Sequence, residues 1–275
     1  MNIYIVSMPD AVERRQHTND QFGRFGLSFT YFDALNGMQA LALAAKMNID
    51  VDTQKLGQGE IGCFMSHVAL WQQVAEGDNP YGAIFEDDVF LGENTNLFLN
   101  ESQWLPENTD VLKLETMQIP CRLDQSGLDA GCGRMAQVLL SDHWGTAGYI
   151  LSKQGAAALL RYVASITVNI PVDHLMFEHF RRQADKTVYQ LNPALCIQQK
   201  VLAGDIQNLA DSTLEQERRL RNRGNEPVVG KKNIRQKAMR ELKRLYRQLS
   251  VRYWYAIYTK ARDEKKQGLQ IILFK

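Results

Sequence analysis

Along the first two hundred positions, short apolar runs alternate with longer stretches whose apolar residues recur every three or four. The runs Ile3–Val6, Leu27–Phe32, Ala83–Phe85, Asp110–Glu115, Met135–Leu140 and Tyr149–Leu151 read as strands, and several are apolar on both faces, as in a sheet covered from two sides. Helical spacing begins near Ala11 and runs past Phe22 and Phe25. It returns from Gly57 to Glu76, from Glu93 to Leu99, from Lys153 to Ala164 with Ser152 as cap, and from Ile170 to Arg182. Met38–Leu56 reads as a mobile helical insertion, and Gln118–Gly133, with Pro120 and three glycines, as a loop. Val188–Leu191 and Ala194–Ile197 are short apolar segments around Pro193. Strands alternating with helices predict an α/β sheet fold.

The chemistry concentrates where one apolar run stops. Ala83-Ile84-Phe85 leads into Glu86-Asp87-Asp88. Three adjacent carboxylates repel one another, and a cation relieves that repulsion. Hard divalent ions, Mg2+ or Mn2+, take oxygen ligands and commonly share them with phosphates. At the carboxyl end of a strand in an α/β sheet this describes a nucleotide-diphosphate site. Arg14 and Arg15 open the first helix, where forked guanidinium donors can clamp a diphosphate. Glu60 and His67 share the face of a helix that also carries Phe64 and Trp71, so both need polar partners. Asp173 follows Pro171 at a helix start, a position where the helix dipole favours a carboxylate. Ser141–Gly148 is a glycine-rich polar stretch containing His143 and Thr146.

Composition sharpens the picture only when it is divided along the chain. From Lys231 to Lys275 there are fourteen Lys and Arg against three Asp and Glu, a net charge of +11. The other residues carry eighteen basic and twenty-eight acidic side chains, a net charge of −10. Between Asn233 and Thr259, Ile234, Ala238, Leu242, Leu245 and Leu249 form one stripe, with Tyr253, Trp254 and Tyr255 after it. Such a basic amphipathic helix suits an anionic membrane surface or docks on the acidic body. Asp211–Gly230 reads as a linker. The four cysteines lack metal-type spacing, and no nucleic-acid motif is present. With neither a basic leader nor an apolar span of about 18 residues, a cytoplasmic location is expected.

Six pieces, in order, carry a resemblance: I-Y-I-V-S with E-R-R, F-D-A-L-N-G, G-E-I-G-C-F-M-S-H-V-A-L-W, I-F-E-D-D-V, G-T-A-G-Y-I-L-S with G-A-A-A-L-L, and P-V-D-H-L. Between Ile3 and Ile206 the chain resembles glycosyltransferase family 25, the bacterial lipopolysaccharide and lipooligosaccharide sugar transferases. The resemblance implies a GT-A-type domain with a Rossmann-like nucleotide-binding sheet over residues 1–224, followed by a basic helical extension over 225–275. It implies a UDP-sugar donor, galactose or glucose, and inversion at the anomeric carbon. The acceptor would be a lipid-linked oligosaccharide at the inner membrane face. Asp88 would hold Mn2+ or Mg2+ on the diphosphate, with Glu86 at the ribose or the metal. Glu86 stands where a D-x-D motif has aspartate, so its metal role is open. His174, His179 and Gln198 are equal candidates for a further ligand. Ser7 and Arg14 would lie at the nucleotide. Glu60, Ser66 and His67 would line the donor pocket, and Asp87 and Thr146 complete the expected donor contacts.

Inversion needs a general base opposite the leaving group. Asp173 is the first candidate and His143 the second. Two rival readings use the same residues. A metal-dependent nucleotide-sugar hydrolase or nucleotidyltransferase would turn over without an acceptor, and a non-catalytic relative would bind UDP and transfer nothing.

Overall fold

The computed structural model describes residues 1–203 and 268–275. The expected linker, the basic helix and the boundary at residue 224 lie outside the described residues. In chain order the elements are β1 (Asn2–Ser7), α1 (Val12–Gly23), β2 (Thr30–Asp33), α2 (Gly37–Lys46), β3 (Asp50–Val51), α3 (Gln58–Glu76), β4 (Tyr81–Glu86), β5 (Val89–Leu91), α4 (Thr95–Asn100), β6 (Val111–Lys113), β7 (Pro120–Arg122), β8 (Leu128–Gly131), β9 (Arg134–Val138), β10 (Gly148–Ser152), α5 (Lys153–Ala164) and β11 (Thr167–Val168). Then come α6 (Val172–His174), a π-helical turn (Leu175–His179), a 3-10 turn (Phe180–Arg182), β12 (Val188–Asn192), β13 (Cys196–Gln198), α7 (Gln199–Leu202) and β14 (Leu269–Ile271).

Eight strands form one sheet in the order β2-β1-β4-β10-β6-β12-β9-β8. β2, β1 and β4 are parallel, β10 runs antiparallel between β4 and β6, and β12 runs parallel to β6. The period of two sends alternate side chains to two cores. Ile3, Ile5, Ala83 and Phe85 face the α1 side, with Phe22, while Val6, Ile84, Tyr149 and Leu151 face α3 and α5. Each fully buried large apolar side chain contributes about 1.5–3 kcal/mol. Trp71 and Phe64 on α3 are two of them. The close seating of α5 requires Gly155, because a Cβ there would stand 2.1 Å from the Asp110 carbonyl oxygen.

Two expectations change. Met38–Leu56 is not a mobile insertion. α2 starts with a capping box between Asn36 and Gln39, buries Ala40 and Ala44, and leads into β3, which pairs with β11. The Gln118–Gly133 segment contains β7 and β8, strands masked in the sequence by glycine and proline. β7 pairs with β14, so the last residues return to the body. There Ile272 is fully buried and the Thr116 hydroxyl donates to its carbonyl oxygen at 2.7 Å.

Strand direction decides where the loops meet. β4 and β6 end at the same edge, and antiparallel β10 begins there, with Gly148 opposite Phe85 and Tyr149 opposite Lys113. β13 pairs with β5 and sets Gln198 opposite Val89. The acidic strand end, the loop before β10 and the end of β13 therefore share one edge of the sheet.

Candidate active site

The three acids do different work. Asp87 is locked: Ser7 Oγ donates to its Oδ2 at 2.7 Å and Arg14 Nη1 to its Oδ1 at 3.0 Å. Only 7% of its side chain is exposed, whereas Arg14 keeps 61% of its own open to solvent. Glu86 and Asp88 turn instead toward Gln198, whose Nε2 donates to Glu86 Oε2 at 3.1 Å and to Asp88 Oδ1 at 3.3 Å. Thr146 Oγ1 donates to the other Glu86 oxygen at 2.9 Å. Burial, then Asp88 and Glu115, pushes the Glu86 carboxyl up to about 8 against the pull of Thr146 and Lys200. Water still reaches it, with 26% of the side chain exposed. Asp88 is also raised, by burial, with Lys200 and Arg14 opposing.

Behind Glu86 runs a buried polar chain. Trp71 Nε1 donates to the Tyr149 hydroxyl at 2.9 Å, and that hydroxyl lies 2.8 Å from His67 Nδ1. Having accepted from Trp71, Tyr149 can donate its own proton to Nδ1, which puts the imidazole proton on Nε2. Nε2 stands 4.0 Å from Glu86 Oε1 and makes no hydrogen bond among the described residues. Burial holds His67 neutral, at about 4.

The loop before β10 is tied at nearly every residue. Asp142 pairs with Arg181 and Arg182, both at 2.8 Å. Lys113 Nζ donates to the Trp144 carbonyl at 2.8 Å and to the Gly145 carbonyl. The Gly145 N–H donates to Asp173 Oδ2 at 3.1 Å, and the Ala147 N–H donates to Glu115 Oε2. Lys113 and Glu115 are fully buried, 3.4 Å apart. Burial lowers the lysine and raises the glutamate, each opposed by the other. Gly145, at φ +95°, cannot be replaced in this turn, since a Cβ would lie 1.7 Å from Glu115 Oε1.

Asp173 sits in the first turn of α6, as expected, and its second oxygen accepts from the His174 N–H at 2.9 Å. Each oxygen keeps a lone pair. His143 is fully buried and held neutral at about 3, by burial and then by Lys113. The Gln190 amide is near enough to favour protonation slightly, yet no hydrogen bond of ordinary geometry joins them. A base must reach the hydroxyl it deprotonates, which a ring without exposed surface does not.

Three expected contacts serve the scaffold. Ser66 Oγ donates to the Gly62 carbonyl at 2.7 Å and accepts from the Leu35 N–H at 2.9 Å. Glu60 caps α3 through the Gly57 N–H at 2.8 Å. Arg15 bonds the Met8 and Ser7 carbonyls and Asp33. Of the possible further ligands, Gln198 touches both acids, His174 pairs with Glu178 at 3.2 Å, and His179 is exposed. Among the described residues, no group of three His, Cys, Asp or Glu side chains is arranged to hold an ion, and no helix is long and apolar enough to cross a membrane. The supporting pair Lys113 and Glu115 carried one signal in the sequence, two opposite charges two apart on one strand face. Tyr149 and Trp71 carried none.

Comparison with known proteins follows this geometry. Residues 1–176 match the family model described as glycosyltransferase family 25 (LPS biosynthesis protein). The lacto-N-neotetraose biosynthesis glycosyltransferase LgtB of Neisseria meningitidis serogroup B is 40% identical over 233 residues, 81% of this chain and 85% of its own. The lipooligosaccharide biosynthesis protein lex-1 of Haemophilus influenzae is 32% identical, over 98% of this chain and 97% of its own. LgtE of Neisseria gonorrhoeae is 34% identical across the full length of both chains. The family match covers β1 through α6, every strand end and loop that builds the acidic site, and the chain belongs to glycosyltransferase family 25.

Proposed function

We propose that this glycosyltransferase moves a hexose, galactose or glucose, from a UDP-sugar to a lipooligosaccharide or lipopolysaccharide acceptor with inversion. The observation that carries the reading is the division of the acidic cluster. Asp87 is neutralised by Ser7 and Arg14, while Glu86 and Asp88 converge on one amide. Two raised, crowded carboxyls beside a side-chain amide suit a hard cation, Mn2+ or Mg2+, whose other ligands would be water and diphosphate oxygens. Glu86 and Asp88 would hold it, with Gln198 turned to present its oxygen. Bound there, it would stabilise charge on the leaving diphosphate. Arg14, largely exposed, has donors left for the same phosphates. Asp173 would take the acceptor hydroxyl proton as the acceptor oxygen bonds to the sugar C1 and the C1–O bond to UDP breaks, its electron pair leaving with UDP.

The +11 charge of the segment from Lys231 onward supports a second part of the reading, peripheral attachment to the anionic inner face of the membrane, where a lipid-linked acceptor resides. The deciding experiment incubates the protein with UDP-galactose or UDP-glucose and truncated lipooligosaccharide, with Mn2+ or with chelator. Metal-dependent transfer with inverted linkage supports the reading. Full-rate turnover without acceptor identifies a hydrolase, and UDP binding without turnover identifies a non-catalytic relative.

A further inference from the structure

Trp144 is the odd member of an otherwise restrained loop. Its neighbours are tied by Asp142, Gly145, Thr146 and Ala147, and its own carbonyl is held by Lys113. Yet its indole is 43% exposed. A large aromatic left in water on a rigid loop is an informative exception. The ring stacks on the His174 imidazole, with centroids 4.9 Å apart and planes 29° apart. His174 is fixed in turn by Glu178 Oε2 at 3.2 Å and follows Asp173 directly. The platform is thus built from both sides, by the loop and by α6.

Its place bears on what it holds. β4 has β1 as one sheet neighbour and β10 as the other. Ser7 and Arg14 reach the acidic cluster from the β1 side, and Trp144 stands on the β10 side. Trp144 lies two residues from Thr146, the partner of Glu86, so their Cα atoms are at most about 7 Å apart. We propose that Trp144, backed by His174, is the platform for the acceptor sugar. A hexopyranoside with several axial ring hydrogens presents an apolar C–H face, and those hydrogens meet the negative face of an indole favourably. Stacked there, the acceptor ring lies beside Asp173, which on the proposed reading takes its proton. The inference rests on that reading only for Asp173 and the donor.

The test uses the full-length protein, Trp144→Ala and Trp144→Phe. Methyl β-glycosides of glucose, galactose and N-acetylglucosamine are titrated against indole fluorescence, with and without UDP and Mn2+. The wild type is expected to show saturable quenching by at least one glycoside, absent in Trp144→Ala. In transfer assays the acceptor KM of Trp144→Ala rises at least tenfold, while UDP affinity stays within twofold. Trp144→Phe, which keeps an aromatic face, recovers most of the acceptor affinity. An unchanged acceptor KM, or a loss of UDP affinity in place of acceptor affinity, overturns the proposal. A wild type that binds glycosides through Trp144 yet transfers nothing from UDP-sugars leaves the platform standing and sinks the proposed reaction.

Discussion

The two sides of the acidic strand end are built on different principles. On the β1 side, Ser7 and Arg14 reach Asp87 directly from a strand end and a first helical turn, and Arg14 stays largely in water. On the β10 side, the loop is held from below by Lys113 and Glu115, neither of which meets solvent. A solvated ion pair contributes about 0–1 kcal/mol, whereas removing one partner of a buried pair costs about 3–5 kcal/mol. The first side can change at little structural cost. The second couples stability to the placement of Thr146 and Trp144.

The comparison breaks most sharply at the acids themselves. Asp88→Asn is expected to lower transfer by 10²-fold or more, in line with losing a main electrostatic element, while the melting temperature holds. Unchanged turnover across a Mn2+ titration would remove Asp88 from the reaction. Lys113→Met is expected to cost about 3–5 kcal/mol in urea unfolding, with part of it recovered when Glu115→Gln is added. Arg14→Ala is expected to cost under about 1 kcal/mol in the same assay. If the two single variants destabilise equally, the contrast between the sides is wrong. Asp173→Asn is expected to drop kcat about 10²-fold with UDP affinity retained. Near-normal kcat would reduce Asp173 to an anchor for Gly145.

Much of the first side was legible in the sequence, since a strand running into Glu86-Asp87-Asp88 announces itself. What each acid does was not, because Asp87 is singled out by Ser7 and Arg14, more than seventy positions earlier. Asp173 at a helix start followed from Pro171, and α5 from its Ser152 cap. Ser66 and Glu60 looked like pocket residues because a polar residue on an apolar face signals only that it needs a partner. Their partners turned out to be backbone groups. Lys113 and Glu115 read as a charged strand face, and only the crossing of β10 beside β6 buries it.

Acidity offers a gentler probe. Burial holds His67 at about 4 and His143 at about 3, so below the ordinary histidine pKa of about 6.5 the unfolded chain binds more protons. These two groups make stability rise with pH through that window. Glu86 acts oppositely: the folded protein keeps a proton, up to about pH 8, that the unfolded chain loses near 4.5. Stability from Glu86 is therefore present at low pH and lost as pH climbs to about 8. In chelator, unfolding free energy should decline between pH 6.5 and 8, and Glu86→Gln should flatten that decline. The smallest effect concerns the basic segment. Removing residues 231–262 while keeping β14 should weaken co-sedimentation with anionic vesicles at low salt and leave kcat on a soluble acceptor unchanged. Truncation at Gly230 is a poorer test, because it also deletes Ile272 from the core.

The π-helical turn after α6 sets how this family member can drift by insertion and deletion. A π turn holds one residue more than an α turn, and each residue of a helix turns the chain by about 100°. Loss of one residue within Leu175–His179 would leave Asp173 and His174 in place and swing everything after them by about that angle. Arg181 and Arg182 would then no longer meet Asp142. Point changes can tune the loop gradually, whereas a change of length in those five positions switches its outer anchor off in one step.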